Sequence, residues 1–243
     1  MRSEFDVLRF SGRSGDGAIA FDADRIAAPS SELFDPQQWQ QAAEPVASGG
    51  RGSAWFVRGG FGDGVLRHYR RGGLVGRLIR DRYLFLGEAR VRSLAEFALL
   101  ARMTGLGLPV PAPLAAGYCR QGLTYRADIL VERIADVRSL AELVGVGLDA
   151  PQWADIGRLI AGFHRAGVHH ADLNAHNVLM DSSGRHYLID FDRSRIRIQA
   201  AGWRQANLAR LLRSLRKVCP RQQASGLNQR FASLQAAYRD AFL

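Results

Sequence analysis

Residues 167–190 read GVHHADLNAHNVLMDSSGRHYLID, and within them His170, Asp172 and Asn177 stand in the spacing H-x-D-x-x-x-x-N. Asp190 follows thirteen residues after Asn177, directly behind a short apolar run. Phosphoryl transfer needs a carboxylate to take the proton of the attacking hydroxyl, and hard oxygen ligands to hold magnesium against the phosphates. This stretch offers both. Asp172 is the candidate catalytic base, and Asn177 and Asp190 are the candidate metal ligands, one at each end of a hairpin. His170 is expected to support the loop, whereas His164, His169 and His176 receive no chemistry and default to core or surface.

Several elements must position these residues. The segment from Asp149 to Gly167 reads as an amphipathic helix: Asp149 caps it, Pro151 lies in its first turn, and Trp153, Ile156, Leu159, Ile160 and Phe163 share a face before Gly167 ends it. Val178–Met180 and Tyr187–Ile189 are short apolar runs separated by Asp181-Ser182-Ser183-Gly184, which is hairpin chemistry. A last helix is expected from Trp203 to Lys217, with Leu208, Leu211, Leu212 and Leu215 on one face and Arg204, Arg210, Arg213 and Lys217 on the others.

Upstream of about residue 135 the character changes. Ser53–Arg58, Gly64–Tyr69 and Tyr125–Glu132 are rich in β-branched and aromatic residues and read as strands of one sheet. Between the second and third, Ala89–Met103 has helical spacing in Leu94, Phe97, Ala98 and Ala101. Gly49, Gly50, Arg51 and Gly52, ahead of the first strand, form a glycine cluster whose backbone N–H groups suit phosphate. The expected division is 1–134, nucleotide-binding, and 135–243, helical and catalytic.

Composition narrows the classes further. With 47% hydrophobic and 23% charged residues among 243, order is expected nearly throughout. The N-terminus is charged where a secretory signal would be apolar, and no stretch approaches a membrane-spanning run, so the chain is expected in the cytoplasm. Cys119 and Cys219 lack the spacing of a zinc or redox site and read as two buried thiols. The net charge is +10, and 32 of the 33 basic residues are arginine, Lys217 being the exception. From Arg193 to the end, eleven basic residues face one acid, Asp240. Such a surface suits a polyanion: an anionic membrane, a phosphorylated substrate or, less favoured, nucleic acid.

These motifs resemble the protein-kinase-like superfamily, with Asp190-Phe191-Asp192 where protein kinases carry Asp-Phe-Gly. Asp192 departs from that glycine, and Asn174 departs from the lysine that serine/threonine kinases place after the catalytic aspartate. No strand lysine exists either. The resemblance puts Arg67 in its place, with Glu96 as its carboxylate partner and Glu88 as runner-up, and it adds Glu132 to the nucleotide-binding set. His68 or Arg51 could supply the same charge. The segments GGRGSAWFV, VLRHYRRGGLVGRL, LPVPAPLAAGY and HHADLNAHNVL narrow the resemblance to the lipopolysaccharide kinase family, and within it to kinases of 3-deoxy-D-manno-octulosonic acid (Kdo), over roughly residues 49–217.

That resemblance implies an α+β, protein-kinase-like fold of two lobes: a small antiparallel-sheet lobe with one helix, and a mainly helical lobe. It implies ATP and Mg²⁺ as cofactors, and phosphorylation of a hydroxyl of Kdo on a lipid A precursor at the cytoplasmic face of the Gram-negative inner membrane. No nucleic-acid partner is expected. The basic and apolar residues between Arg70 and Arg82 suit a lipid headgroup interface. A heptose or other small-molecule kinase, or a non-catalytic kinase-like module, are the alternatives.

Overall fold

The computed structural model describes residues 5–12, 15–46, 54–70 and 81–242. The expected glycine cluster Gly49, Gly50, Arg51 and Gly52, and most of the basic segment after Arg70, therefore lie outside the described residues. The chain divides into two compact units, Met1–Arg102 with Pro111–Arg133, and Met103–Val110 with Ile134–Leu243.

The first unit is built on an antiparallel sheet. Its strands are β1 (Asp6–Gly12), β2 (Gly15–Phe21), β3 (Ala43–Pro45), β4 (Ala54–Gly59), β5 (Gly62–His68), β6 (Tyr83–Leu84), β7 (Pro113–Gln121) and β8 (Thr124–Glu132), with helix α1 (Arg92–Gly105) leaving the unit at its C-terminal end. The spatial order is β1-β2-β7-β8-β5-β4-β3, with β6 paired to the far end of β8. Alternation puts Val57, Leu66, Leu114 and Leu130 into one apolar cluster with Ile19, Ile26 and Phe61. The three strands read from the sequence appear within a residue or two of their expected bounds. The hairpin β1–β2, the short β3 and the long β7 were not anticipated. Helix α1 starts three residues later than its periodicity suggested, because Glu88–Arg90 form a 3-10 turn first.

The second unit carries β9 (Arg138–Ser139), α2 (Leu140–Val146), α3 (Ala150–Arg165), β10 (Val168–His169), β11 (Val178–Met180), β12 (His186–Leu188), β13 (Arg195–Ile196), α4 (Ala201–Val218) and α5 (Ala224–Phe242). Asp149 and Gln152 cap α3 reciprocally and Pro151 sits in its first turn, as the sequence suggested. Trp153, Ile156, Ile160 and Phe163 are buried on its inner face. Helix α5 lies against α3 so closely that a Cβ on Gly157 would stand 2.2 Å from the Leu234 carbonyl oxygen, so only glycine fits there. Gly167 turns the chain after α3 with φ +74°, releasing it into β10.

Cys119 and Cys219 are free and only partly covered, which corrects the expectation of two buried thiols. Among the described residues no helix is long and apolar enough to cross a membrane.

Candidate active site

In the second unit the loop from His170 to Asn177 is held by side chains folding back on their own backbone. His170 is 2% exposed, and its Nε2 lies 2.9 Å from the Ile189 carbonyl oxygen. A carbonyl can only accept, so Nε2 carries the proton and Nδ1 is left to accept the Asp172 N–H at 3.1 Å. Burial holds this imidazole below its ordinary pKa, keeping it in that neutral tautomer. One ring therefore joins the Asp172 loop to the strand end before Asp190.

Asn174 and Asn177 complete the turn. Asn174 Oδ1 accepts the N–H groups of His176 at 2.8 Å and Asn177 at 3.2 Å, while its amide donates to the Asp172 carbonyl at 3.1 Å. Asn177 is 8% exposed and donates from Nδ2 to the same carbonyl at 3.0 Å. With its NH₂ end engaged, the Asn177 amide keeps its oxygen as the available ligand atom. The hairpin β11–β12 pairs Val178 with Leu188, and Ile189 N–H bonds the Asn177 carbonyl at 3.1 Å, so Asn177 and the residue before Asp190 stand side by side. Asp190 itself has φ +63°, a conformation that a non-glycine residue rarely holds unless its surroundings impose it. Phe191, wholly buried, supplies that surrounding by stacking on Phe163 with ring centroids 5.8 Å apart and packing against His170 at 4.7 Å.

Helix α4 holds the loop from a further direction. Asn207 donates from Nδ2 to the His170 carbonyl at 2.9 Å, Ser214 Oγ accepts the Ala175 N–H at 3.1 Å, and Arg210 forms an ion pair with Asp172, its Nε 2.8 Å from Oδ1. Positions 207, 210 and 214 are spaced three and four apart and so occupy one helical face. Asn207 is anchored in turn by His164 Nε2 at 3.3 Å, and His164 Nδ1 by the Tyr238 hydroxyl at 2.9 Å. Burial pushes His164 down to about 4, so the ring stays neutral and bridges α3, α4 and α5. The leucine face and arginine flanks expected of α4 leave out this polar stripe. Asn207 and Ser214 at helical spacing from Arg210 are the signal that would have revealed it.

In the first unit, Arg67 on β5 meets Glu96 on α1, with Nη2 2.6 Å from Oε1 and 2.5 Å from Oε2. Glu96 is 4% exposed and also accepts the Tyr69 hydroxyl, and the Arg67 guanidinium stands 4.9 Å over the Tyr69 ring. Burial, reinforced by the Glu96 charge, raises the Tyr69 hydroxyl well above its ordinary pKa, so it remains a donor. Tyr69 went unnoticed in the sequence.

Among the described residues, the alternatives Glu88 and His68, and Glu132 of the expected nucleotide-binding set, have partners of their own. Glu88 pairs with Arg9 at 2.8 Å and accepts from Tyr118 at 3.1 Å, so it is not the partner of Arg67. His68 is bound to Asp128 at 2.6 Å, and Glu132, at the end of β8, pairs with Arg25 at 3.1 Å. The sequence favours Glu96 over Glu88, and the structure pairs Arg67 with Glu96. What decides is that Glu96 lies within the first turns of α1, while Glu88 precedes the helix.

The donor set suits magnesium better than a metal that demands a full protein cage. Among the described residues no group of three or more His, Cys, Asp and Glu could hold an ion. Asn177 and Asp190 offer two hard oxygens, and magnesium commonly takes one or two protein oxygens and completes its shell with water and phosphate.

The sequence model of the lipopolysaccharide kinase (Kdo/WaaP) family matches residues 36–238. A 3-deoxy-D-manno-octulosonic acid kinase of Stenotrophomonas maltophilia strain R551-3 is 52% identical over 224 residues, covering 92% of this chain and 90% of its own. Kinases of the same name from Xanthomonas campestris pv. campestris strain B100 and Xylella fastidiosa strain M12 are 51% and 50% identical, over 94% and 92% of this chain and 92% and 90% of their own. A solved structure of the bifunctional kinase-methyltransferase WbdD aligns with 82% of this chain and 45% of its own, at 17% identity and a TM-score of 0.47.

Proposed function

The chain belongs to the lipopolysaccharide kinase (Kdo/WaaP) family, and from that premise we propose that it transfers the γ-phosphate of ATP to a hydroxyl of Kdo during lipopolysaccharide biosynthesis. The observation that carries this reading is identity of about half of all residues, across nine-tenths of the chain, to kinases named for that sugar.

We read the two units as the lobes of a protein-kinase-like fold, the first binding nucleotide and the second carrying the catalytic loop. Asp172 accepts the proton of the sugar hydroxyl as its oxygen bonds to the γ-phosphorus. The bond from that phosphorus to the bridging oxygen breaks, and ADP leaves with the electron pair. Arg67, braced by Glu96 and Tyr69, presents its guanidinium to phosphate oxygens in the place of a lysine. Asn177 and Asp190 would hold magnesium, which when bound neutralises phosphate charge.

The acceptor is an anionic lipid, and the second unit has the charge to meet one. Arg193, Arg195, Arg197, Arg213 and Arg216 are all exposed. That supports work at the cytoplasmic face of the Gram-negative inner membrane as a peripheral protein. Incubation with ATP, Mg²⁺ and separate Kdo-lipid, heptosyl-lipid and protein acceptors tests the reading, with label expected on the Kdo-lipid. Label on the heptosyl-lipid alone would move the assignment to the sugar beyond, and no label anywhere would leave a binding module.

A further inference from the structure

Asp172 is held through its backbone, at N–H and carbonyl alike, and in addition through its carboxylate. Arg210 directs both Nε and Nη2 at a single oxygen, Oδ1. Among the described residues Oδ2 accepts no hydrogen bond. The pair is half-exposed on both sides, at 47% each, so its weight in stability is slight. A guanidinium is a rigid planar fork, and two donors meeting one oxygen fix the rotation of the carboxyl group about its last bond. The fork is itself fixed, because Asn207 and Ser214 on the same face of α4 grip the loop's backbone two residues before and three residues after Asp172.

We infer that Arg210 is a positioning residue for the phosphoryl transfer: it occupies Oδ1 of Asp172 and so presents Oδ2 to the acceptor hydroxyl. The inference rests on the reading of Asp172 as the base. Asn174, two residues after Asp172, cannot serve in this way, because both ends of its amide are spent on the backbone of the turn. The orienting charge comes from a distant helix instead.

The test is steady-state kinetics of Arg210→Ala and Arg210→Lys with ATP and Kdo-lipid, and with added guanidinium ion. Arg210→Ala is expected to lose at least tenfold in kcat while its KM for ATP stays within about twofold. Lysine, able to give one of the two contacts, is expected to recover part of the loss. Millimolar guanidinium should raise turnover of Arg210→Ala and leave Asp172→Ala unmoved, a response that lost folding could not produce. Undiminished kcat in Arg210→Ala would overturn the inference, as would a loss that neither lysine nor guanidinium repairs. Failure of the wild-type protein on Kdo-lipid would count against the proposed substrate instead, and the Arg210 ratios would then be taken with whichever acceptor the wild type uses.

Discussion

The His170 ring donates to the Ile189 carbonyl oxygen across 2.9 Å, a bond between residues nineteen apart that ties the Asp172 loop to the approach to Asp190. His170→Ala would free both. Its kcat is expected to fall by about tenfold to a hundredfold, the scale of a small misplacement of reacting groups, with a lowered melting temperature. Unchanged kcat would show that the two segments hold their places without the ring.

Asp172→Ala should reduce turnover by at least about a hundredfold, the lower end of general-base catalysis, while ATP binding measured by calorimetry survives. Because the aspartate is half-exposed, the variant should fold normally. Near wild-type turnover would remove Asp172 from the mechanism.

The Arg67–Glu96 pair should behave as a unit. Removing the arginine leaves a carboxylate that is 4% exposed with, among the described residues, only Tyr69 to meet it, so Arg67→Ala is expected to destabilise by about 3 kcal/mol and to weaken ATP use strongly. Glu96→Ala should lower activity less, and the double variant should lose less than the sum of the two. Fully additive losses in that cycle would dissolve the pairing.

Asp190→Ala should weaken nucleotide binding measured with Mg²⁺ far more than binding measured in EDTA. Equal weakening under both conditions would mean that Asp190 does not act through the metal.

His164 gives stability a pH dependence of definite sign. Its folded pKa of about 4 lies below the ordinary 6.5, so between these values the unfolded chain binds the extra proton and stability rises with pH. The contribution is full above about pH 6.5 and is lost as pH falls towards 4, on the order of 3 kcal/mol in all. The groups facing it are Tyr238, Asn207 and Trp203, with the Arg204 charge and the His169 and His170 rings nearby. Urea midpoints at pH 7 and pH 5 should therefore differ less in His164→Gln than in the wild type. Equal differences would assign the acid sensitivity elsewhere, for instance to His169 or His186, which burial also lowers.

Much of the second unit was legible because its signals are local. The cap at Asp149, the periodicity of α3, the turn at Asp181–Gly184 and the spacing from His170 to Asn177 are each contained within a few residues, and backbone stereochemistry acts at that range. Strand β5 and helix α1 were legible for the same reason, and on them the family resemblance marked Arg67 and Glu96. The tertiary structure closes Arg67 on Glu96, the carboxylate that the expected helix puts ahead of Glu88. It also decided that Arg210, thirty-eight residues beyond Asp172, closes on its carboxylate. The spacing from Asn207 and Ser214 sets Arg210 apart from Arg213 and Arg216, but it does not say that this face of the helix meets the loop. That meeting is set by the rotation of α4 that burying Leu208, Leu211 and Leu215 imposes, and that burial is a property of the packed core.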